Sequence, residues 1–347
     1  MENTGPHRDA FDVCGPRNVP SISWKDLIIS STWKDSNYKR TVIACFIQAV
    51  YLLELDRQEN RKDENALAPK WWTPFKYKLT EVLMDERDGS IFGAVLEWDR
   101  AAALSHFILT RPNGAPQAVL AFRGTLLKSP TIRRDIEDDL RFLAWESLKG
   151  SFRFGLGLKA LRKVSEKYGS RNVCVAGHSL GAGFALQVGK ALAKQGLCVE
   201  AHLFNPPSVS LASGLKTVGE SVWFVWDRVR SMLPYMNGDG AQRAENENGS
   251  KQLVWVPHLY INSGDYICCY YTDGQVGAKV ESGPCLAKVL VFSKGGKQKF
   301  VEAHGLEQWW SSDMELEMAL NSSKLISRQL KSLYSLPPSE QSPGKGR

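Results

Sequence analysis

Asn172-Val173-Cys174-Val175-Ala176-Gly177-His178-Ser179-Leu180-Gly181-Ala182-Gly183-Phe184-Ala185-Leu186-Gln187-Val188 is the stretch on which the reading of the fold turns. Its first five residues make a short apolar run of the kind a buried strand shows, and its last seven read as a helix. Between them stands G-x-S-x-G, which becomes a nucleophile elbow when a strand runs into it and a helix leaves it. The turn forces Ser179 into strained backbone, so Gly177 and Gly181 stand where a Cβ would not fit. The serine hydroxyl is then lifted above the sheet edge. The helix that follows aims its first N–H groups, that of Leu180 among them, at negative charge developing beside it. The bland reading of the same letters is a glycine-rich turn with an ordinary serine and an ordinary His178.

An elbow of this kind needs an acid and a histidine downstream, in the order Ser, Asp/Glu, His. The histidines are His7, His106, His178, His202, His258 and His304. After Ser179 the candidate acids are Asp227, Asp239, Asp265 and Asp273. Asp265 sits in the turn Asn262-Ser263-Gly264-Asp265, just past the strand-like run 253–261. A carboxylate there lies on the same sheet edge as the elbow. Asp273, in Thr272-Asp273-Gly274, is the competing acid. With Asp265 in that role, chain order leaves His304 as the base, in the loop beyond a further strand at 285–292. Upstream, Gln117-Ala118-Val119-Leu120-Ala121-Phe122 reads as a buried strand running into Arg123-Gly124-Thr125. The Thr125 amide stands where such a site takes its second oxyanion donor, the first being Leu180; as a plain alternative, Thr125 is a turn former.

Phe122-Arg123-Gly124-Thr125, Gly177-His178-Ser179-Leu180-Gly181, Asn262-Ser263-Gly264-Asp265 and Ala303-His304 together resemble the successive signatures of class 3 lipases, over roughly residues 90–310. That resemblance implies an α/β-hydrolase fold: a mostly parallel central sheet flanked by helices, with an N-terminal helical cap over about 20–80 and a long insert before the acid strand. It implies cleavage of acylglycerols and related lipid esters by Ser179, Asp265 and His304, with no cofactor and no metal. Arg134-Asp135-Ile136-Glu137-Asp138-Asp139-Leu140 looks like the segment that forms a lid helix in fungal members. Phe11-Asp12-Val13-Cys14-Gly15-Pro16 and Ile91-Phe92-Gly93 look closest to intracellular plant members, some of which carry a GDSL esterase label, although no Gly-Asp-Ser-Leu block stands near this N-terminus.

Two departures reshape the expected pocket wall. Fungal lipases carry a Gly-Gln-Pro-Arg-Val-Gly-like turn where this chain has Asn205-Pro206-Pro207-Ser208-Val209-Ser210, and residues 216–252 are an insert. Within it, positions 222, 225, 226, 229 and 233 put apolar side chains on one side of a helix over 221–233. Trp223 and Trp226 beside Arg228 and Arg230 suit a lid touching a lipid surface; a helix packed on the core is the competing reading.

Composition bounds the rest. A chain of 347 residues, 43% hydrophobic and 23% charged, can bury one large core. We expect a flexible 1–20, one lipase-like domain over 21–335 and a disordered polar tail over 336–347. The first twenty residues lack an apolar signal core, and the longest apolar run, 41–53, is too short to span a bilayer. It reads as a core-packed helix ending near residues 54–57. Seven scattered cysteines fit a reducing compartment, so a cytoplasmic location is expected. The net charge of +7 is dispersed, which excludes a nucleic-acid partner and is compatible with peripheral contact with anionic membranes. A helix over 152–168 and a hairpin pairing residues 93–98 with 106–109 complete the outline. Competing functions are a non-catalytic lipase-like scaffold, and an acyltransferase or thioesterase using the same three residues.

Overall fold

Alternate residues of a strand serve opposite faces of a sheet, and here both faces are covered. The computed structural model describes residues 33–126, 152–208, 255–272, 287–293 and 298–310, with 317–318, 326 and 330. The lid-like segment 134–140, the insert helix 221–233, Asp273, the first twenty residues and the tail 336–347 lie outside the described residues. Eight strands form one sheet whose spatial order follows chain order. They are β1 (Tyr77–Met84), β2 (Ile91–Trp98), β3 (Ala118–Phe122), β4 (Val173–His178), β5 (Glu200–Phe204), β6 (His258–Asn262), β7 (Lys288–Phe292) and β8 (Glu317–Met318). Strands β3 to β7 are parallel; β1, β2 and β8 pair antiparallel with their neighbours.

Ala118, Leu120, Phe122, Val175, Leu203, Ile261 and Val291 point to one face, against Leu161 and Val164 of a helix over Phe152–Tyr168 and Leu186 and Val188 of another over Leu180–Ala193. Each helix connects two adjacent parallel strands, and right-handed crossovers in unchanged strand order place both on the same side. Val119, Ala121, Ala176, Phe204 and Tyr260 point to the other face. That side belongs to a 23-residue helix, α1 (Ser36–Gln58), whose first turn is capped by the Asp35 carboxylate accepting from Asn37 N at 2.9 Å. Among the described residues, the α-helices seen from end to end are, in chain order, α1, α2 (Arg100–Leu104), α3 (Phe152–Tyr168), α4 (Leu180–Ala193) and α5 (Phe300–His304). The apolar run 41–53 is the buried heart of α1, which continues through the expected stop to Gln58. With its parallel core and strand–turn–helix at the centre, this is an α/β-hydrolase fold.

The expected hairpin is corrected. β2 pairs with β1, Tyr77 opposite Trp98, rather than with 106–109. Residues 106–109 follow α2 as irregular chain, with Ile108 packed against the core and Phe107 92% exposed at φ +60. The expected N-terminal helical stretch, from residue 33 on, is α1, three short 3-10 turns and the start of β1. β1 hides its strand character because bulges between Leu79 and Glu81 and between Leu83 and Met84 break its alternation.

Two anchors frame the insert. Ser208 N donates to Ile267 O at 2.8 Å where the chain leaves β5. Trp255 Nε1 donates to Val199 O at 2.7 Å where it returns. The Trp255 ring lies so close to Gly189 of α4 that a Cβ there would come within 2.6 Å of it. Among the described residues, no helix is long and apolar enough to cross a membrane.

Candidate active site

The elbow is a steric necessity here. Between β4 and α4, Ser179 holds φ 53 and ψ −125, a conformation costing a non-glycine residue about 1–3 kcal/mol. A Cβ on Gly177 would come within 2.1 Å of Gly181 O, and one on Gly181 within 2.5 Å of Arg123 O. The two glycines thus let strand, helix and the end of β3 close around the serine. Gly124 is equally confined: its Cβ would meet the Tyr51 hydroxyl at 2.6 Å.

Three residues far apart in the chain meet at this elbow. His304 Nε2 lies 2.9 Å from Ser179 Oγ, and His304 Nδ1 lies 2.8 Å from Asp265 Oδ2. Ser179 is 7% exposed, His304 1% and Asp265 0%. Nε2 faces the serine and Nδ1 the carboxylate, the directional order that lets an imidazole take a proton from the hydroxyl.

The carboxylate is held by more than the histidine. Ile267 N donates to Asp265 Oδ1 at 3.0 Å, while Asn205 Nδ2 at 2.7 Å and Cys268 Sγ at 3.1 Å donate to Oδ2. Burial alone would raise the Asp265 carboxyl. The charge and hydrogen bond of His304, aided by Cys268 and Asn205, outweigh it and keep the group below the usual aspartate value. Asn205 sits just past β5 at φ +46. Its Nδ2 also donates to Ala303 O at 3.1 Å, and its Oδ1 accepts from Trp309 Nε1 at 2.7 Å. One amide therefore ties the Asp265 turn to α5, which ends at His304.

His178 has a structural office of its own. Its Nδ1 lies 2.8 Å from the Tyr51 hydroxyl and its Nε2 lies 2.8 Å from His304 O. Burial pushes its pKa down to about 3, so the ring is neutral. Beside the elbow, a cavity of about 480 Å³ is lined by Thr125 and Leu180, by the aromatic rings of Phe92 and Phe184, and by Arg123 and Arg153. Neither the Thr125 nor the Leu180 amide has an acceptor among the described residues. The cavity wall mixes apolar rings with charged side chains, the Arg153 guanidinium lying over the Phe92 ring at 5.4 Å from its centroid.

Sequence reasoning singled out Ser179, Asp265, His304, Thr125 and Leu180, and the structure brings the first three into contact and the last two to one cavity. It did not find Tyr51, Asn205, Cys268 or Trp309. None sits in a motif; each reaches the site through the fold.

A second group of ligand-type atoms, Glu200, His202 and His258, lies within 4.8 Å of one another toward the starts of β5 and β6. Lys39 Nζ lies 3.0 and 3.1 Å from the two Glu200 oxygens, and His202 is committed to Glu200 at 3.1 Å and the Tyr260 hydroxyl at 2.9 Å. An ammonium already supplies the cation this carboxylate needs, so the group fits hydrogen-bonded packing better than metal ligation.

No family model matches the chain. Across 349 aligned residues, covering 89% of this chain and 97% of the relative, it is 29% identical to a GDSL esterase/lipase of Arabidopsis thaliana. Among solved structures it is similar to a lipase from Rhizopus microsporus var. chinensis, at 12% identity and TM-score 0.37, covering 91% of this chain and 84% of that one. It is also similar to an esterase of Pyrobaculum calidifontis, at 13% identity and TM-score 0.31, covering 91% and 98%.

Proposed function

We propose that this chain is a serine hydrolase of carboxylic esters, and that its substrates are lipid acyl esters. The observation that carries the proposal is the aligned set Ser179–His304–Asp265, with contacts of 2.9 and 2.8 Å, at a strained elbow whose Leu180 lines a cavity together with Thr125, both amides without an acceptor among the described residues. The esterase/lipase name of the plant relative supports the same reaction class.

The chemistry follows from the geometry. His304 Nε2 takes the Ser179 proton as Oγ attacks the ester carbonyl, and Asp265 steadies the imidazolium that forms. The Thr125 and Leu180 amides receive the oxyanion, each worth about 3 kcal/mol in the transition state. His304 returns the proton to the leaving alcohol, and water then cleaves the acyl-enzyme by the same route. A cavity lined by both aromatic and charged side chains suits an ester with an apolar arm and a polar end.

Labelling with a fluorophosphonate tests this reading. The wild-type chain takes the label at Ser179 and hydrolyses a p-nitrophenyl ester, whereas Ser179→Ala does neither. A folded wild-type chain inert to both reagents would overturn the proposal. Comparing emulsified acylglycerol with a short soluble ester then tests the substrate class, since faster turnover of the lipid supports it and exclusive use of the soluble ester removes it.

A further inference from the structure

We infer that Tyr51 is a positioning residue that locks the oxyanion loop to the loop of the base, acting through His178. The inference rests on the hydrolase reading. Its basis is a buried chain of hydrogen bonds whose donor and acceptor roles are each forced. Gly124 N lies 2.8 Å from the Tyr51 hydroxyl, and an amide N–H can only donate, so the hydroxyl oxygen accepts there. His178 Nε2 lies 2.8 Å from His304 O, and a carbonyl can only accept, so Nε2 carries the ring proton. A neutral imidazole then has a bare Nδ1, which must accept from the Tyr51 hydroxyl at 2.8 Å. The order is Gly124 N–H to Tyr51 O–H to His178 to the carbonyl of His304, with no freedom to run backwards.

Both ends of this chain matter to the reaction. At one end is the backbone of the base itself. At the other is Gly124, whose carbonyl accepts from Arg123 Nη1 at 2.7 Å. In a planar trans peptide the Gly124 oxygen and the Thr125 N–H point in opposite directions, so fixing one aims the other. Tyr51 fixes the preceding peptide and Arg123 the following one. The Thr125 amide is thereby aimed from both sides, and its direction is referred to His304 rather than to the loop alone. Tyr51 is fully buried on α1, the helix of the opposite sheet face, so the site is tied to an element that contributes nothing to its motifs.

The test uses the full chain with a short p-nitrophenyl ester and a trifluoromethyl ketone, whose hydrated or hemiketal oxygen occupies the oxyanion position. Tyr51→Phe keeps the ring and removes one hydroxyl. It lowers kcat roughly 10- to 100-fold with KM within about threefold, and weakens the ketone by the same factor as kcat/KM, in the range seen when oxyanion donors are lost. His178→Gln breaks the same chain, so the double variant costs no more than the worse single one. Phe46→Leu, on the same helix among Phe75 and Tyr77, lowers thermal stability and leaves kcat within about twofold. A folded Tyr51→Phe with kcat within twofold of wild type overturns the inference, as do strictly multiplicative losses in the double variant. If the wild-type chain neither turns over ester nor takes the fluorophosphonate, the hydrolase reading is what fails. The chain of bonds is then read by ¹⁵N NMR of the His178 ring. Its Nδ1 resonance moves toward the free-imidazole position in Tyr51→Phe, and an unmoved resonance rejects the chain.

Discussion

Two pairs of histidines pack against this one sheet, and they are built differently. His178 and His304 meet where β4 and α5 end, rings 5.2 Å apart and tilted by 43°. His202 and His258 meet toward the starts of β5 and β6, rings 4.9 Å apart and stacked within 7°. Each pair has a carboxylate, Asp265 for one and Glu200 for the other. In the first pair the bonds run in sequence from hydroxyl to ring to carboxylate. The carboxylate takes neutral donors besides the histidine and has no lysine or arginine partner among the described residues. In the second, Lys39 neutralises Glu200, and His258 Nδ1 is buried without a partner. A histidine beside an acid is thus common material. What separates a candidate site from packing is a nucleophile held in strain, a buried carboxylate with no lysine or arginine partner among the described residues, and a cavity that reaches the elbow at Leu180.

The sharpest way to break this comparison is to exchange the pairs by mutation. Ser179→Ala or His304→Ala is expected to cost about 10⁴- to 10⁶-fold in kcat, as members of a unit do. His202→Gln is expected to stay within about twofold. Steady-state hydrolysis by proteins of matched circular dichroism decides it, and equal losses from His202 and His304 would erase the distinction.

Next in size is the acid. Asp265→Asn is expected to lower kcat by about 10³- to 10⁴-fold, because the amide favours the wrong ring tautomer. Asp273→Asn, in the rival turn, should leave the rate within about twofold. The reverse pattern would move the acid to Asp273. A smaller loss, about 10- to 50-fold in kcat, is expected for Asn205→Ala, which unties the Asp265 turn from Ala303 and Trp309 while leaving all three reacting groups present. A pH-rate profile accompanies that measurement, and an unchanged rate and profile would reduce Asn205 to packing.

These expectations also mark what was legible beforehand. The elbow could be read from letters because its constraint is local and steric: Gly177 and Gly181 answer to atoms within a few residues and to one strand end. Asp265 and His304 could be found by chain order, since the fold delivers strand ends to one edge. The parallel strands and α3 were equally plain, α3 spanning Phe152–Tyr168 as its periodicity predicts. Tyr51 and Asn205 were not legible. Tyr51 lies 127 positions from His178, and Asn205 lies 60 from Asp265. Nothing in the sequence pattern says which buried tyrosine faces the elbow on a helix buried all round from Arg40 to Leu52. The mispaired hairpin has the same root. Phe107, Ile108 and Leu109 look like a strand by type, and only the sheet shows that bulged β1 already holds that edge.

The mildest test concerns acid stability. Burial holds His178 neutral, its pKa near 3 against 6.5 for a free histidine, and burial does the same to His258, again near 3. Between those values the unfolded chain binds protons that the folded chain refuses. Stability is therefore fully present above pH 6.5 and is lost as pH falls toward 3, by several kcal/mol for a fully buried ring. His258→Gln should flatten the fall in denaturation midpoint across that window without touching turnover. A slope identical to wild type would mean that His258 is protonated in the folded protein.

The two anchors at Ser208 and Trp255 carry a consequence for how this chain can change over generations. They fasten the exit and return of residues 209–254 to the sheet independently of what lies between. Closing a loop twice as long adds only about 0.6 kcal/mol. Changes of length between those two points therefore add little to the cost of closing the chain there. The described frame around them can stay constant as that length changes, which makes Ser208 and Trp255 natural junctions for building chimaeras.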